Sequence, residues 1–285
     1  MISTSRREEI TPGVVPIMTN RRQFLTACSS GVVALAQSVS ASPQGGGGAA
    51  APATAPDSLI ADLVAGNRIL AMEGVLDGMG HISVRHSTRP DRFFLARSMA
   101  PELVTAADIL EYDFEGQAID PRNRTSYLER FIHSEIYKSR PDVRAVVHCH
   151  TPSLIPFAAS DVPLRAMYHM AAFVAEGVPV FDIRKAAGVT DLLVRDAALG
   201  RALAQSLGQK HAALMRGHGA VVVAASIPAV VGRSVYLDVN ARAQTQAIAL
   251  GGKITYVEAD EAKLRMGDTN EYSRAWDLWK RKVTR

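Results

Sequence analysis

The chain has 285 residues, of which 47% are hydrophobic and 21% charged, and it carries two cysteines and a net charge of +4. This is the composition of a globular protein with room for one large domain or two small ones, and two cysteines cannot form a disulfide framework. The charge is not clustered in the central part of the chain, and no apolar run beyond the N-terminal leader reaches the roughly 18–20 residues of a transmembrane helix. We therefore expect neither nucleic acid nor, in the mature form, a membrane as a partner.

The first 56 residues have the features of an export signal and a linker. Arg21 and Arg22 precede an uncharged, moderately apolar run that ends in the small residues V-S-A at 39–41. This pattern is typical of a twin-arginine signal over 1–41, and a Gly/Ala/Pro-rich linker follows over 42–56. The alternative is a disordered tail with a chance arginine pair. The signal predicts a periplasmic protein, whereas the alternative predicts a cytoplasmic one.

Hydrophobic periodicity predicts mixed helices and strands over the rest of the chain. The predicted helices cover 58–73, 126–138, a short segment from 152, 191–207, 227–250 and 258–267. The predicted strands cover 81–85, 92–96, 109–114, 143–148, 179–183, 212–215 and 220–224. Early neighbouring strands are hairpin-like, so we expect an α/β domain over 57–268 with a largely antiparallel or mixed sheet, followed by a tail over 269–285.

Two histidines, His148 and His150, stand one residue apart at the end of an apolar run. In an extended chain they point to the same face with Cα atoms about 6.5–7 Å apart, so both imidazoles could reach one ion. Cys149 points the other way. The alternative is a pair of partly buried histidines without a ligand role.

His218 and Glu129 are further candidates. His218 lies between two glycines at a strand-to-strand turn, where glycine allows close backbone approach, although the histidine could be incidental to the turn. Glu129 ends the stretch S-Y-L-E, which has the spacing of a capping box with Ser126 as N-cap. Spacing alone favours the cap over a proton-transferring carboxylate.

Four segments together resemble the class II aldolase/adducin family. They are G-H-I-S-V-R at 80–85, E-R-F-I-H-S-E-I-Y at 129–137, R-P-D-V-R-A-V-V-H-C-H-T-P at 140–152 and R-G-H-G-A at 216–220. Their order and spacing also match. The resemblance implies a three-layer α/β/α fold with a central, mostly antiparallel sheet, and a homotetramer with sites at subunit interfaces.

The resemblance also implies roles for particular residues. His148, His150 and His218 are the expected metal ligands, with zinc as the expected metal and manganese or cobalt as alternatives. Glu129 is the expected acid/base. Tyr168 and His169 lie where family members present a tyrosine to a neighbouring subunit, so one of them is a candidate proton donor to the product; the alternative is that both are packing residues.

The chain departs from the sugar-phosphate aldolases of this family at their three phosphate-binding elements. An asparagine is replaced by His81, a Thr/Ser-Gly pair by S-M-A-P at 98–101, and a Ser-Ser pair by Tyr127 and Leu128. The expected substrate is therefore unphosphorylated and flatter or more apolar. It would lie near His81 and Ser98.

Two arginines, Arg85 and Arg97, are candidate partners of a substrate carboxylate through bidentate pairing, although each could equally be structural. The combination of these arginines with the changed phosphate-binding elements resembles the branch of the family that decarboxylates carboxy-hydroxymuconic semialdehydes or dihydroxyphthalates.

The expected function is thus a metal-dependent carbon–carbon lyase that acts through a stabilised enolate on a small hydroxy-oxo acid, with decarboxylation ahead of aldehyde release. An epimerase and a non-catalytic adducin-like interaction module are the alternatives. Family epimerases act on phosphorylated sugars, and adducin heads lack the metal histidines, so the resemblance favours neither.

Overall fold

The computed structural model describes residues 56–266 and 272–284, so the predicted export signal and nearly all of the linker lie outside the described residues. The strands are β1 His81–Arg85, β2 Arg92–Ala96, β3 Ile109–Asp113, β4 Ala145–Cys149, β5 Val180–Phe181, β6 Ala212–Met215 and β7 Gly219–Ala224. The α-helices are α1 Pro56–Met72, α2 Arg130–Ser139, α3 Ile155–Ala159, α4 Arg184–Ala187, α5 Ala197–Leu207, α6 Ile227–Leu250, α7 Ala259–Met266 and α8 Ser273–Val283.

The seven strands form one sheet in the order β3-β2-β1-β4-β7-β6-β5. Only β5 and β6 pair in parallel, and the other neighbours are antiparallel. The central strands β4 and β7 are buried along their whole length and apolar apart from His148, which is the pattern of strands covered on both faces. The register places His81 of β1 opposite His148 of β4.

Helices cover both faces of this sheet, as adjacent residues of β1 show. A Cβ atom added to Gly66 of α1 would lie 3.1 Å from the Cδ1 atom of Ile82, whereas the next residue, Ser83, hydrogen-bonds to Tyr137 of α2. Because successive strand residues point to opposite faces, α1 and α2 lie on opposite sides of the sheet. The structure confirms the predicted three-layer α/β fold with a mostly antiparallel sheet.

Most predicted elements agree with the structure to within two residues, but two helix starts were wrong. The helix predicted from Ser126 begins at Arg130: its N-cap residue is Glu129, without a side-chain cap, and the Ser126 hydroxyl accepts a hydrogen bond from Tyr112. The helix predicted from 191 begins at Ala197. Leu192 has a φ of +70°, which a helix does not allow, and Asp196 is the N-cap that accepts the Leu199 N–H.

The segment predicted as a C-terminal tail contains α8, which packs on the helical layer formed by α1 and α6. Trp276 and Trp279 of α8 are buried, and Lys280 forms an ion pair with Asp62 of α1 at 2.6 Å. Within the described ranges, the helices all lack either the length or the sustained hydropathy needed to span a membrane.

Candidate metal centre

The end of the β4–β7 strand pair brings three histidines together. His148 lies in β4, His150 follows that strand directly, and His218 lies in the turn between β6 and β7. Gly219 makes this possible, because a Cβ atom there would lie 1.9 Å from the carbonyl oxygen of Cys149. A side chain at this position would therefore keep the turn away from β4.

Three histidine nitrogens and one carboxylate oxygen converge at this point, and we call Glu129, His148, His150 and His218 the metal centre. The Nε2 atom of His150 lies 3.1 Å from Nε2 of His148 and 3.1 Å from Nε2 of His218. Oε2 of Glu129 lies 3.5 Å from Nε2 of His148 and 3.4 Å from Nε2 of His218. A tetrahedral ion with ligand bonds of about 2.0–2.1 Å has ligand atoms about 3.3 Å apart, so the spacing fits such an ion.

Hydrogen bonds behind the centre orient its ligands. Nδ1 of His148 donates to the Ala220 carbonyl at 3.1 Å, and Nδ1 of His218 donates to the Leu192 carbonyl at 2.9 Å. These partners assign the tautomer in which each Nε2 carries a lone pair. Lone pairs and a carboxylate at such short distances repel one another unless a cation lies between them. The donor set therefore fits a divalent metal ion.

The electrostatics of the centre favour an ionised glutamate and a neutral histidine. Burial by itself would raise the pKa of Glu129, but the adjacent imidazoles of His148 and His218 outweigh it and hold that pKa well below its ordinary value. Burial, followed by the charges of the same two histidines, lowers the pKa of His150 to about 4. Metal ligands need these protonation states, since only a neutral imidazole and a carboxylate have lone pairs to donate.

Beside the centre lies a cavity of about 600 Å³, which we call the substrate cavity. Its walls include Met79, His81, Ser98, Met99, Tyr127, Leu128 and, from the centre itself, Glu129 and His150. The structure thus brings the predicted substrate residues His81 and Ser98 together with the predicted ligands. His133 was given no role from the sequence, although its spacing from Glu129 was the available signal. Its ring contacts that of His81, with 4.8 Å between centroids.

The two arginines have internal partners in the structure. Arg85 is buried, and its guanidinium donates to backbone carbonyls, among them those of Tyr137 and Val143. It therefore joins β1 to α2 and is not offered to a substrate. Arg97 donates its Nε to Asp108 at 2.8 Å, so an internal carboxylate holds one part of its guanidinium, and a role in substrate binding stays a prediction.

Tyr168 and His169 do not line the substrate cavity of their own chain. His169 is exposed, and Tyr168 is half-buried, with its ring 6.4 Å from that of Tyr236 on α6. A role for either residue in a neighbouring subunit's site stays a prediction.

Fold and centre together define an α/β protein with a candidate catalytic metal site at one end of its sheet. Residues 61–245 match the family described as Class II Aldolase and Adducin N-terminal domain. The chain belongs to this family.

The proteins that this chain is similar to in sequence include decarboxylases. The chain is 35% identical to decarboxylase tropJ of Talaromyces stipitatus over 256 residues, which cover 81% of this chain and 95% of that protein. It is 29% identical to the 3,4-dihydroxyphthalate decarboxylase of Rhodococcus jostii over 233 residues, covering 76% and 91%. Human beta-adducin is 27% identical over 103 residues, covering 34% of this chain and 14% of that protein.

Solved structures show the same fold. An L-fuculose 1-phosphate aldolase from Glaciozyma antarctica superposes with a TM-score of 0.65 at 24% identity, covering 79% of this chain and 88% of that one. An aldolase II superfamily protein from Pseudomonas syringae gives a TM-score of 0.69 at 20% identity, covering 81% and 94%. At these identities the likeness concerns the fold alone.

Proposed function

We propose that the protein is a metal-dependent carbon–carbon lyase that decarboxylates an unphosphorylated hydroxy-oxo or hydroxy-aromatic acid. The observation that carries this proposal is the position of the metal centre at the wall of a largely apolar cavity. Three histidine ligands are the pattern of a catalytic site, in which the remaining position is open to water or a substrate, here beside Glu129. The decarboxylase names of the relatives tropJ and 3,4-dihydroxyphthalate decarboxylase support the same reaction class.

His148, His150 and His218 would hold the ion, for which we propose zinc, with manganese or cobalt as alternatives. When bound, it would supply a Lewis acid that binds adjacent substrate oxygens and stabilises negative charge as carbon dioxide leaves. Glu129 is placed to move a proton, because Oε1 is held by the Val194 N–H at 2.8 Å while Oε2 lies at the centre.

The walls of the substrate cavity favour a flat acid over a sugar phosphate. A phosphate dianion needs several hydrogen-bond donors, but Leu128 and Met99 have none in their side chains. The Tyr127 hydroxyl already donates to the Met99 carbonyl. Burying a dianion there without hydrogen-bond donors would cost at least several kcal/mol, roughly the effective desolvation penalty of a buried ion.

The test compares carbon dioxide release with aldehyde release by the purified, metal-loaded protein. We expect carbon dioxide from 3,4-dihydroxyphthalate or a related hydroxy acid, and almost no aldehyde from L-fuculose 1-phosphate. Cleavage of that sugar phosphate with a kcat/KM of about 10⁴ M⁻¹s⁻¹ or more, in the ordinary enzyme range, would contradict the proposal and favour an aldolase.

Metal dependence is checked in the same assay. We expect a chelator to abolish turnover and one divalent metal to restore it, and we expect His218→Ala to lose most bound metal. His86→Asn is the matched control, because His86 lies outside the centre and asparagine can still accept the Thr88 N–H that His86 accepts at 3.1 Å. Stoichiometric metal in His218→Ala would remove that residue from the site.

A further inference from the structure

A chain of hydrogen bonds runs from the substrate cavity into the core beneath it. Nδ1 of His81 lies 2.6 Å from Nε2 of His133, and Nδ1 of His133 lies 2.6 Å from Oγ of Ser83. Oγ of Ser83 lies 2.8 Å from the hydroxyl oxygen of Tyr137. All four residues are buried, the last three to 1% exposure or less. None of the last three lines the cavity or belongs to the metal centre.

The inner end of the chain fixes its direction. Tyr137 has one hydroxyl hydrogen, and among the described residues the acceptor within hydrogen-bonding distance of it is Ser83. If the chain ran the other way, Ser83 would donate to Tyr137, and the buried Tyr137 hydroxyl would lose its acceptor. An unsatisfied buried donor is strongly disfavoured. Tyr137 therefore donates to Ser83, and the Ser83 hydroxyl donates to Nδ1 of His133.

This direction sets the hydrogen positions on both rings. A neutral imidazole that accepts at one nitrogen carries its hydrogen on the other, so His133 donates from Nε2 to Nδ1 of His81. The same rule then places the hydrogen of His81 on Nε2. Both rings are expected to be neutral, because burial lowers the pKa of His81 well below its ordinary value and that of His133 to about 3. Nε2 is the ring nitrogen of His81 that takes no part in the chain, so it is available to a molecule in the cavity that this residue lines.

The chain orients a hydrogen bond and does not conduct protons to solvent. Tyr137 packs between Phe93 and Phe114, with ring centroids at 5.4 Å and 6.1 Å, and the Arg85 guanidinium lies 4.8 Å from its ring. The inner end therefore lies in the core. A chain that ends there can fix a tautomer, as the buried partner of a catalytic histidine does in other enzymes.

We propose that Tyr137, Ser83 and His133 are positioning residues that hold His81 as the Nε2–H tautomer, so that it presents a hydrogen-bond donor to an anionic oxygen of the substrate. The proposal rests on the proposed function in one respect, namely that the cavity holds an acidic substrate. It accounts for the hydroxyl groups of a serine and a tyrosine that are buried in the core beneath the cavity. It also makes His81 a fixed donor rather than a group that could accept.

Tyr137→Phe is the variant that tests the chain, because it removes one hydroxyl far from the cavity and keeps the ring. Tyr112→Phe is the matched control. Tyr112 is equally buried and stacks on the same Phe93 at 5.3 Å, but its hydroxyl donates to Ser126, outside the chain. NMR of the ring nitrogens in isotope-labelled, zinc-loaded protein reads the tautomer directly, with the His81 signals assigned by their loss in His81→Gln.

In the wild type we expect the hydrogen of His81 on Nε2, and in Tyr137→Phe a mixture of tautomers with unchanged bound zinc. With a turned-over substrate, kcat should fall by about 10- to 100-fold, the usual effect of removing a residue behind a catalytic group. Tyr112→Phe should change neither quantity. A His81 hydrogen on Nδ1 in the wild type, or an unchanged tautomer in Tyr137→Phe, would overturn the proposal.

The two readouts separate this proposal from the proposed function. If no hydroxy acid is decarboxylated but the tautomer responds as expected, the proposed reaction fails and the orientation of His81 stands. If decarboxylation is found and the tautomer does not respond, the orientation fails alone.

Discussion

Glu129 uses its two carboxylate oxygens for different purposes. Oε1 accepts the Val194 N–H at 2.8 Å, and Oε2 lies 3.5 Å and 3.4 Å from the Nε2 atoms of His148 and His218. The backbone hydrogen bond fixes the side chain, so Oε2 is held at the centre without needing a capping interaction. A carboxylate held in this way is suited to transferring a proton to or from a bound substrate.

At this scale we predict that Glu129→Gln lowers kcat by about 10²–10⁴, the usual contribution of a general acid or base. The amide oxygen can still accept the Val194 N–H, so the free energy of unfolding should change by only about 1 kcal/mol. The three histidines remain, and bound metal should be retained. Steady-state kinetics, urea unfolding and elemental analysis measure the three effects, and normal turnover would show that Glu129 is not the acid/base.

At the scale of elements, the metal centre depends on how closely the β6–β7 turn approaches β4. The turn carries His218, and β4 carries His148 and leads into His150. These elements meet where the backbone of Gly219 contacts the Cys149 carbonyl group, and this contact leaves no room for a side chain at Gly219. The distance between the histidines is therefore set by backbone packing as well as by the histidines themselves.

We predict that Gly219→Ala weakens metal binding by at least about tenfold, since displaced ligands lose their geometry. The added methyl group should also lower the free energy of unfolding by about 1–3 kcal/mol, as overpacking does. Gly78→Ala is the control, because a Cβ atom there has no neighbour within 4 Å. Metal titration and thermal unfolding of both variants are the measurements. Equal metal affinity in the two would contradict the role of this close contact.

At the scale of the whole molecule, the segment around Tyr168 is the feature that points beyond one chain. The Tyr168 hydroxyl is buried without a hydrogen-bond partner among the described residues, and exposed His169 follows it. An unsatisfied hydroxyl is unfavourable, so a partner outside this chain would stabilise it. The resemblance to the aldolases led us to expect a homotetramer with this segment at a subunit interface.

We predict that light scattering gives the mass of a tetramer and that Tyr168→Phe lowers turnover without changing bound metal. The phenylalanine keeps the ring but cannot donate a proton or a hydrogen bond. Tyr236→Phe, on the neighbouring ring, is the control. A fully active monomer would exclude any role of Tyr168 in a second subunit.

The predicted export signal, which lies outside the described residues, also belongs to the scale of the whole molecule, and we propose that the working protein is periplasmic. Replacing Arg21 and Arg22 by lysine should retain the protein in the cytoplasm, because the arginine pair is the feature that the export machinery reads. Cell fractionation with an antibody to the protein is the measurement. Unchanged export of the lysine variant would favour a different route, and a wild-type protein found only in the cytoplasm would contradict the signal.

Much of the fold follows from local patterns in the sequence. Strand alternation and helical spacing located most elements, because side-chain periods of two and about 3.6 residues reflect the geometry of a strand and a helix directly. The same geometry predicted that His148, in β4, and His150, directly after it, point to one face. Their convergence with His218 came from the family resemblance, since no local period joins residues so far apart.

Other features depended on contacts that only the tertiary structure provides. Glu129 is held by Val194, which is 65 residues away, and His81 by His133, which is 52 residues away. Arg85 is held by the backbone carbonyls of Tyr137 in α2 and of Arg140 and Val143, which lie between α2 and β4. The sequence alone does not show these partners, which keep Arg85 from a substrate. The sequence by itself determined which side chains can bind a metal or move a proton, because that chemistry belongs to the residue types. The tertiary structure decided their partners, because hydrogen bonds and burial depend on which distant segments are packed together.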